Sequence, residues 1–386
     1  MKFSKSILSL AIAAAFAASP AWAEIDAGTP ESSSTGNQAT ITQVSGTDNN
    51  AAIDQTGDRN TGSIYQDNTA NAVANITTTG SDNSATVSQQ GSNSVINVTQ
   101  SNAASSSATA TQTEGYSDNN LINMTQTGTV GATATVEQDD FNHQATVNQS
   151  NGASMNASVS QSDEAEVAIV NQTSGSNQTA TVVQDGAGDI ADVAQTGNNN
   201  SVSVSQTGDG LSNTASVSQD GNNSMVSVSQ FASTGSTVSV SQTEPYSDGN
   251  IATVSQDNVV SGSASVAQDD GFNVATVAQS NGTNLMASVS QSDLDNTASA
   301  TQIGGNDLAA IVLQDGQGNS ASLTQTGGSF NAVDIAQEGD SAFAIASVTQ
   351  DGGMNNMASV MQQGTGAVTT ISQIGGSNNS ARVAQH

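Results

Sequence analysis

The stretch that organises this chain reads Asn37-Gln38-Ala39-Thr40-Ile41-Thr42-Gln43. The same pattern, Asn-x-Ala-x-Val/Ile-x-Gln, recurs in about 30 units up to Gln385, one of which has Thr78 in place of its glutamine. Successive closing positions lie 11 or 12 residues apart, rarely 13 or 14. Residues 37–386 are therefore one array of short repeats.

Within each unit, apolar residues occupy every second position. This period is typical of a β-strand with one buried and one solvated face, and it excludes a helix. Between the units lie Gly, Asn and Asp, as at Gly57 and Asp58, which tolerate tight turns and positive φ. The sequence thus predicts strands of about seven residues joined by turns of about five.

One such strand buries too little apolar surface to offset its ordering entropy, so it must pack against another. Asn250, Asn273, Asn296 and Asn319 recur 23 residues apart, which indicates two strands per coil. We therefore predict an all-β fold, a flattened two-sheet β-solenoid of about 15 two-strand rungs, amyloid-like and cross-β when copies stack.

The recurring amides face the interior in this arrangement. A buried amide is costly unless it is paired, but amides stacked in register can hydrogen-bond to one another along the stack. The expected core amide ladder contains Asn37, Gln43, Gln55, Asn83, Gln89, Asn213, Gln219, Asn250, Gln256, Asn273, Gln279, Asn319, Gln325, Asn379 and Gln385.

The chain begins like a secretory precursor, with Lys2 and Lys5 before an apolar run and a small-residue site at Ala21-Trp22-Ala23. We expect residues 1–23 to be a signal peptide, 24–36 a short segment for secretion targeting, and 37–386 the repeat domain. The apolar run is too short to span a bilayer, so no membrane insertion is expected.

The expected mature chain retains Arg59 and Arg382 against 34 acidic residues, a formal charge of −32. Such a chain is a poor partner for nucleic acid or anionic membranes. It contains no cysteine, so disulfides cannot stabilise it. Its stability must come from backbone pairing and packing.

The repeat resembles that of the curlins, Ser-x5-Gln-x-Gly-x-x-Asn-x-Ala-x3-Gln, with Gln55, Gly57 and Asn60 in matching places and Gln89 and Gly91 again. This resemblance implies a secreted subunit of curli, the functional amyloid fibres of bacterial biofilms, which transits the periplasm and mediates adhesion and surface colonisation. It also implies a curli-type nucleator and an outer-membrane secretion pore as partners.

Stacked rungs end in unpaired strand edges, which soluble solenoids cover with caps. The sequence shows no cap at either end of the array. We therefore predict head-to-tail homopolymerisation through two edges, formed by Asn37, Ala39, Ile41 and Gln43 at one end and by Asn379, Ala381, Val383 and Gln385 at the other.

The main alternative is a β-solenoid adhesin or binding module for ice or carbohydrate that does not polymerise. An enzyme is not expected, because the expected mature chain has two arginines, no lysine and no insertion large enough to wall a pocket. No catalytic, cofactor-binding or metal-binding residue is assigned. Asp139-Asp140 and Asp269-Asp270 are interpreted as solvated turns rather than calcium ligands, and His143 and His386 as surface or incidental residues.

Overall fold

The computed structural model describes residues 35–113, 119–243, 249–339 and 342–386. They form two compact units, Met1–Asp185 and Gly186–His386, termed the N-terminal and C-terminal units. The expected signal peptide and, apart from Thr35 and Gly36, the expected targeting segment lie outside the described residues. Thr35 donates through its backbone N–H and its hydroxyl to Asp58 Oδ1, each at 2.9 Å.

The secondary structure of the N-terminal unit consists of β-strands. These are β1 Gln38–Gln43, β2 Gly46–Thr47, β3 Asn50–Asp58, β4 Thr61–Ala70, β5 Val73–Ser81, β6 Ser84–Ser92, β7 Val95–Ala104, β8 Ser107–Thr113, β9 Leu121–Thr127, β10 Thr133–Asp139, β11 Gln144–Ala153, β12 Asn156–Glu164, β13 Val167–Ser176 and β14 Thr179–Ala187, of which the last runs two residues past the unit boundary.

The C-terminal unit is built in the same way. Its strands are β15 Ile190–Asn198, β16 Ser201–Leu211, β17 Thr214–Asn222, β18 Met225–Phe231, β19 Thr237–Thr243, β20 Ile251–Asp257, β21 Ser263–Asp269, β22 Val274–Ser280, β23 Met286–Ser292, β24 Thr297–Ile303, β25 Ala309–Asp315, β26 Ser320–Thr326, β27 Ala332–Gln337, β28 Ile345–Asp351, β29 Met357–Gln362, β30 Val368–Ile374 and β31 Ser380–Gln385.

Each long strand pairs in parallel with a strand of the neighbouring coil, not with its sequence neighbour. In the N-terminal unit, sheet A has the order β1-β4-β6-β8-β10-β12-β14, with β2 also paired to β4, and sheet B the order β3-β5-β7-β9-β11-β13. In the C-terminal unit, sheet A contains the even-numbered strands β16 to β30 and sheet B the odd-numbered strands β15 to β31. Each unit is thus a two-sheet coil.

The strand register follows the sequence repeat. Ile41 pairs with Ile64 and Gln43 with Gln66 in the N-terminal unit, and Gln279 pairs with Gln302 in the C-terminal unit. Like positions therefore stack on like positions, which is the arrangement that lets one side chain repeat its contacts from coil to coil. The register shifts between Thr78 and Gly80, next to the unit that lacks its glutamine.

The core lies between the two sheets of each unit and consists mainly of small residues. The Ala and Val of the repeat are almost fully buried, as Ala85 and Val87 show in the N-terminal unit and Ala275 and Val277 in the C-terminal unit. Their outward neighbours stay partly or fully exposed, so burial alternates along each strand. Small side chains keep the facing sheets close, which brings their polar side chains within reach of the opposite backbone.

The turns need residues that adopt positive φ. Arg59, Asn177 and Asn284 adopt φ near 55° just before a strand, where Asn is better tolerated than most residues. At Gly57, with φ 105°, a Cβ would lie 2.0 Å from the carbonyl oxygen of Gly80 in the next coil. Only glycine allows the turns to stack this closely.

The sequence prediction of the fold class is confirmed. Over the described residues the chain is all-β without a helix, and its strands make two parallel sheets in about 15 two-strand turns of a β-solenoid.

Candidate functional site: the amide ladders and the end strands

The glutamines that close the repeats form continuous hydrogen-bonded ladders inside each unit. In sheet A of the N-terminal unit, Gln43 Nε2 donates to Gln66 Oε1 at 2.7 Å and Gln66 Nε2 to Gln89 Oε1 at 2.8 Å. In sheet A of the C-terminal unit, Gln256 donates to Gln279 and Gln279 to Gln302, both at 2.8 Å. In all these bonds Nε2 points toward the later repeat and Oε1 toward the earlier one.

The remaining expected glutamines of the C-terminal unit lie in ladders of the same kind, Gln325 in sheet A and Gln219 and Gln385 in sheet B. Gln219 accepts from Gln195 and donates to Gln242, and Gln325 accepts from Gln302 and donates to Gln350. Gln385 accepts from Gln362 at 3.0 Å.

Most of the ladder glutamines also tie the two sheets of their unit together. Gln279 Nε2 donates to the carbonyl oxygen of Ser263 in sheet B at 3.2 Å, and Gln302 Nε2 donates to that of Met286 at 3.0 Å. One side-chain amide therefore uses both donors and one acceptor in an interior from which water is excluded. A satisfied buried network of this kind holds the register as well as the fold.

The asparagines do not form the expected amide-to-amide ladder. Asn273 Oδ1 accepts from the backbone N–H of Asn296, and its Nδ2 donates to the carbonyl oxygens of Asp269 and Asp293. The side chain thus binds the turn of its own coil and the turn of the next. Asparagine is one methylene shorter than glutamine, so it reaches backbone groups at the strand start rather than another side chain.

The other expected asparagines make the same kinds of backbone contact. Asn37 Oδ1 accepts from the N–H of Asn60. The amides of Asn83, Asn213 and Asn250 donate to the carbonyl oxygens of Ala103, Ser233 and Asp270. Asn319 Oδ1 accepts from the N–H of Ala344, and Asn379 Nδ2 donates to the carbonyl oxygen of Gly375. Amide-to-amide contacts of asparagine occur instead on the outer face, where Asn75 donates to Asn97 and Asn97 to Asn123.

Gln55 departs from the expected ladder. Its register partner is Thr78, the unit without a closing glutamine, and its Nε2 is buried without a hydrogen-bond partner. Thr78 Oγ1 reaches Gln100 Oε1 at 3.4 Å, but it is too short to serve Gln55 as well. The ladder of sheet B in this unit therefore begins at Gln100, which donates to Gln126 at 2.8 Å.

His143 is completely buried, which corrects its interpretation as a surface residue. It occupies the asparagine position of its repeat and makes the asparagine contacts: Nε2 lies 2.7 Å from the carbonyl oxygen of Asp139, and Nδ1 accepts from the N–H of Glu166. Burial is the main cause that lowers the pKa of the imidazole. A neutral ring can donate at one nitrogen and accept at the other, as an amide does. The feature of the sequence that could have predicted this burial is the place of His143 in the repeat.

Asp189 occupies the asparagine position of its own repeat and is 1% exposed. Its Oδ1 accepts from the N–H of Asn213 at 2.8 Å. Burial raises the pKa of this carboxyl to about 6, because the charged form is poorly solvated there and the bond from Asn213 only partly offsets that cost.

We expect Asp189→Asn to stabilise the C-terminal unit at pH 7 and not at pH 4. The folded-state pKa of about 6 lies above the ordinary value of about 3.9. The penalty of the buried carboxylate is therefore absent below about pH 4, grows between pH 4 and pH 6, and is roughly 3 kcal/mol at pH 7. Asparagine keeps the acceptor for Asn213 without the charge. Hydrogen exchange of residues 190–219 at the two pH values measures the difference, with Asp192→Asn on the exposed face as control. An equal gain at both pH values would contradict this explanation.

The four residues of each expected polymerisation edge lie on the end strands of the sheets. Asn37 lies just before β1, which contains Ala39, Ile41 and Gln43, and β1 is the first strand of its sheet. The residues Ala381, Val383 and Gln385 lie on β31, the last strand of its sheet, with Asn379 just before it. Ile41 and Val383 are only half-buried, unlike the Val and Ile of inner strands, because one side of each end strand lacks a neighbour among the described residues.

Among the residues that the structure describes, the acidic turns do not gather into a metal centre. Over the described ranges no group of three His, Asp or Glu side chains could hold a metal ion. The backbone carbonyls of Asp139 and Asp270 instead accept bonds from His143 and Asn250. In the same part of the chain no helix has the length and apolarity needed to cross a membrane.

These features define the chain as a β-solenoid of in-register repeats whose interior is organised by glutamine ladders. The family model of the curlin-associated repeat matches residues 175–208 and 295–327. These two stretches therefore carry the curlin-associated repeat, and the resemblance noted in the sequence is confirmed. A comparison with curated proteins found no match.

Proposed function

We propose that this chain is a secreted structural subunit that assembles head to tail into extracellular curli-like amyloid fibres. Such fibres serve the biofilm matrix, adhesion and surface colonisation. In this proposal residues 1–23 direct the chain to the periplasm, residues 24–36 take part in export, and a nucleator and an outer-membrane pore act as accessory partners. No catalytic step is required of any residue.

The observation that carries the proposal is the polarity of the glutamine ladders. Gln43 at the first strand of sheet A exposes the acceptor end of its ladder, since it donates onward to Gln66. Gln373 in β30, the last strand of sheet A, accepts from Gln350 at 2.7 Å and so presents the donor end. An Nε2 donor at one edge and an Oε1 acceptor at the other are complementary, so a second copy continues the ladder when added head to tail, and only in that direction.

The end strands offer the matching backbone. A parallel sheet edge presents unpaired N–H and C=O groups to an incoming strand, which is the basis of β-augmentation. Since β30 and β1 both belong to sheets of seven-residue repeats in the same register, the junction of two copies reproduces the contacts of an internal coil. The energetic gain per junction is then comparable to that of stacking one more repeat.

The alternative is a solenoid adhesin that remains monomeric. Its binding surface would be an outer face rather than the strand edges. A fibre subunit polymerises when chains are brought together, whereas a monomeric adhesin does not, so one assembly experiment separates the two functions.

We expect residues 24–386, purified in denaturant and then diluted out of it, to form unbranched fibres. Thioflavin-T fluorescence follows the kinetics, electron microscopy the morphology, and fibre diffraction should show a reflection near 4.7 to 4.8 Å along the axis. A β-rich chain that stays monomeric at the same concentration would overturn the proposal and favour the adhesin.

A further inference from the structure

The outer face of sheet A in the C-terminal unit, here called the A face, has an uncharged centre. Two positions of each of its eight strands point outward in the middle of the strand, from Ser203 and Ser205 on β16 to Thr370 and Ser372 on β30. All sixteen positions are Ser, Thr or Ala. Their side chains are short and their register is continuous, so the centre of the face is flat.

Exposed apolar side chains flank this centre on both sides. Met225 and Ile251 stack in register at the strand starts and are 51% and 38% exposed, and Ile345 stacks on Val368, which is 61% exposed. At the strand ends Phe231 and Ile374 are 50% and 78% exposed. Exposed apolar groups on a flat face mark a candidate interaction site. The outer face of sheet B also exposes apolar residues, among them Met286 and Met357, so charge distinguishes the two faces.

The central positions of the A face are uncharged, unlike those of the opposite face of the same unit. The strands of the A face carry three outward acidic residues, Asp209, Asp257 and Asp351, all toward the strand ends and none at the sixteen central positions. The outer face of sheet B has Asp192, Asp220, Asp269, Asp315, Asp334 and Arg382 on its strands, and of these Asp192, Asp334 and Arg382 lie at central outward positions. In a mature chain with a formal charge of −32, like-charged surfaces repel. The A face is the one that two copies can bring together at low electrostatic cost.

The area of the A face is sufficient for a stable contact. Eight strands spaced about 4.8 Å apart, each about 23 Å long, cover roughly 900 Å². Two copies that dock through it would bury about 1,800 Å² in total, within the range of specific protein–protein interfaces. Serine and threonine allow two sheets to approach to about 10 Å, as in packed β-sheets.

We propose that the A face docks onto the A face of a second copy, so that fibres associate laterally in pairs. This inference rests on the proposed function, since the docked copies are subunits of two neighbouring fibres. Head-to-tail stacking joins the strand edges, and the A face joins the rods side by side. The acidic face of sheet B then remains toward solvent on both outer sides of the pair.

The test compares fibres of Ser229→Asp/Ser255→Asp with fibres of Ser218→Asp/Ser241→Asp. The first pair lies at the centre of the A face on β18 and β20, and the second lies at the equivalent outward positions of sheet B on β17 and β19. The two variants have the same added charge on neighbouring coils. Mass per length by scanning transmission electron microscopy counts the 23-residue repeats per about 4.8 Å of fibre.

We expect two 23-residue repeats per about 4.8 Å of fibre in the wild type and in the sheet B variant. The A-face variant should have half as many, because its fibres do not pair. Thin Ser229→Asp/Ser255→Asp fibres, mixed after growth with Ser229→Lys/Ser255→Lys fibres, should form pairs again because opposite charges then face each other. Wild-type fibres with one repeat per about 4.8 Å would overturn the inference while leaving the proposed function intact. The inference would also be overturned if single wild-type fibres shaped ice crystals or bound insoluble polysaccharide through the A face. Absence of any fibre would overturn the proposed function itself.

Discussion

Ala384→Pro should stop fibre growth at one end of the molecule and leave the chain folded. In the coil that pairs with β31, the backbone N–H of Met357 donates to the carbonyl oxygen of Asn379, and the N–H of Gln363 donates to the carbonyl oxygen of Gln385. Because alternate residues of a parallel strand face opposite neighbours, the equivalent N–H groups of β31, including that of Ala384, point away from β29. Proline at Ala384 therefore removes an edge donor and adds a ring there without breaking a bond inside the chain.

The expected effect is at least a tenfold loss of elongation at that end, since a lost edge bond and a steric clash together exceed about 1.4 kcal/mol. The variant still presents an intact β1 edge, so it should add to a growing wild-type fibre and then terminate it at substoichiometric amounts. Two-colour seeded growth under total internal reflection fluorescence microscopy resolves the two ends.

Two matched variants complete this experiment. Ala384→Val keeps the N–H and should elongate at the wild-type rate. Ala39→Pro should block the opposite end, because Gln38 donates inward to Asn60 and the N–H of its neighbour Ala39 therefore faces outward. Normal growth of both proline variants at both ends would exclude the strand edges as the sites of assembly.

The fold was predictable because its signals are local and repeated. The alternation of Ala and Val indicated strands, the glycines and asparagines indicated turns, and the 23-residue recurrence of Asn250, Asn273, Asn296 and Asn319 indicated two strands per coil. Each repeat is a weak signal by itself, but about thirty of them average out the ambiguity of any one.

What the side chains bond to was less predictable, because it depends on reach rather than on polarity. Asn273 and Gln279 carry the same amide, yet the first binds turn carbonyls and the second binds the next glutamine. His143 and Asp189 deviate from the repeat in sequence, but their place in it puts them in the same buried row of turn contacts. A composition-based view treats such residues as surface residues, whereas the repeat position predicts burial.

The glutamine ladder is the interior feature whose loss should cost the most. We expect Gln279→Leu to lower the local free energy of unfolding by about 3 kcal/mol, because it removes the bonds to Gln256, Gln302 and the Ser263 carbonyl and leaves buried partners unpaired. Leucine has a similar volume and adds apolar surface, so the loss measures mainly the amide and not a cavity. In a solenoid each coil contacts only its neighbours, so the effect should be confined to the coils around β22.

Hydrogen exchange of residues 251–303 measures this effect, with Ser299→Ala on the outer face as a control that should leave protection unchanged.

The converse substitution is Thr78→Gln, which supplies the missing ladder member between Gln55 and Gln100 and gives the buried Nε2 of Gln55 an acceptor. It should raise protection around β5 by about 1 kcal/mol, the net value of one or two buried amide bonds. If Gln279→Leu left exchange unchanged and Thr78→Gln lowered protection, the ladder would be a consequence of stacking, and the backbone pairing alone would hold the register.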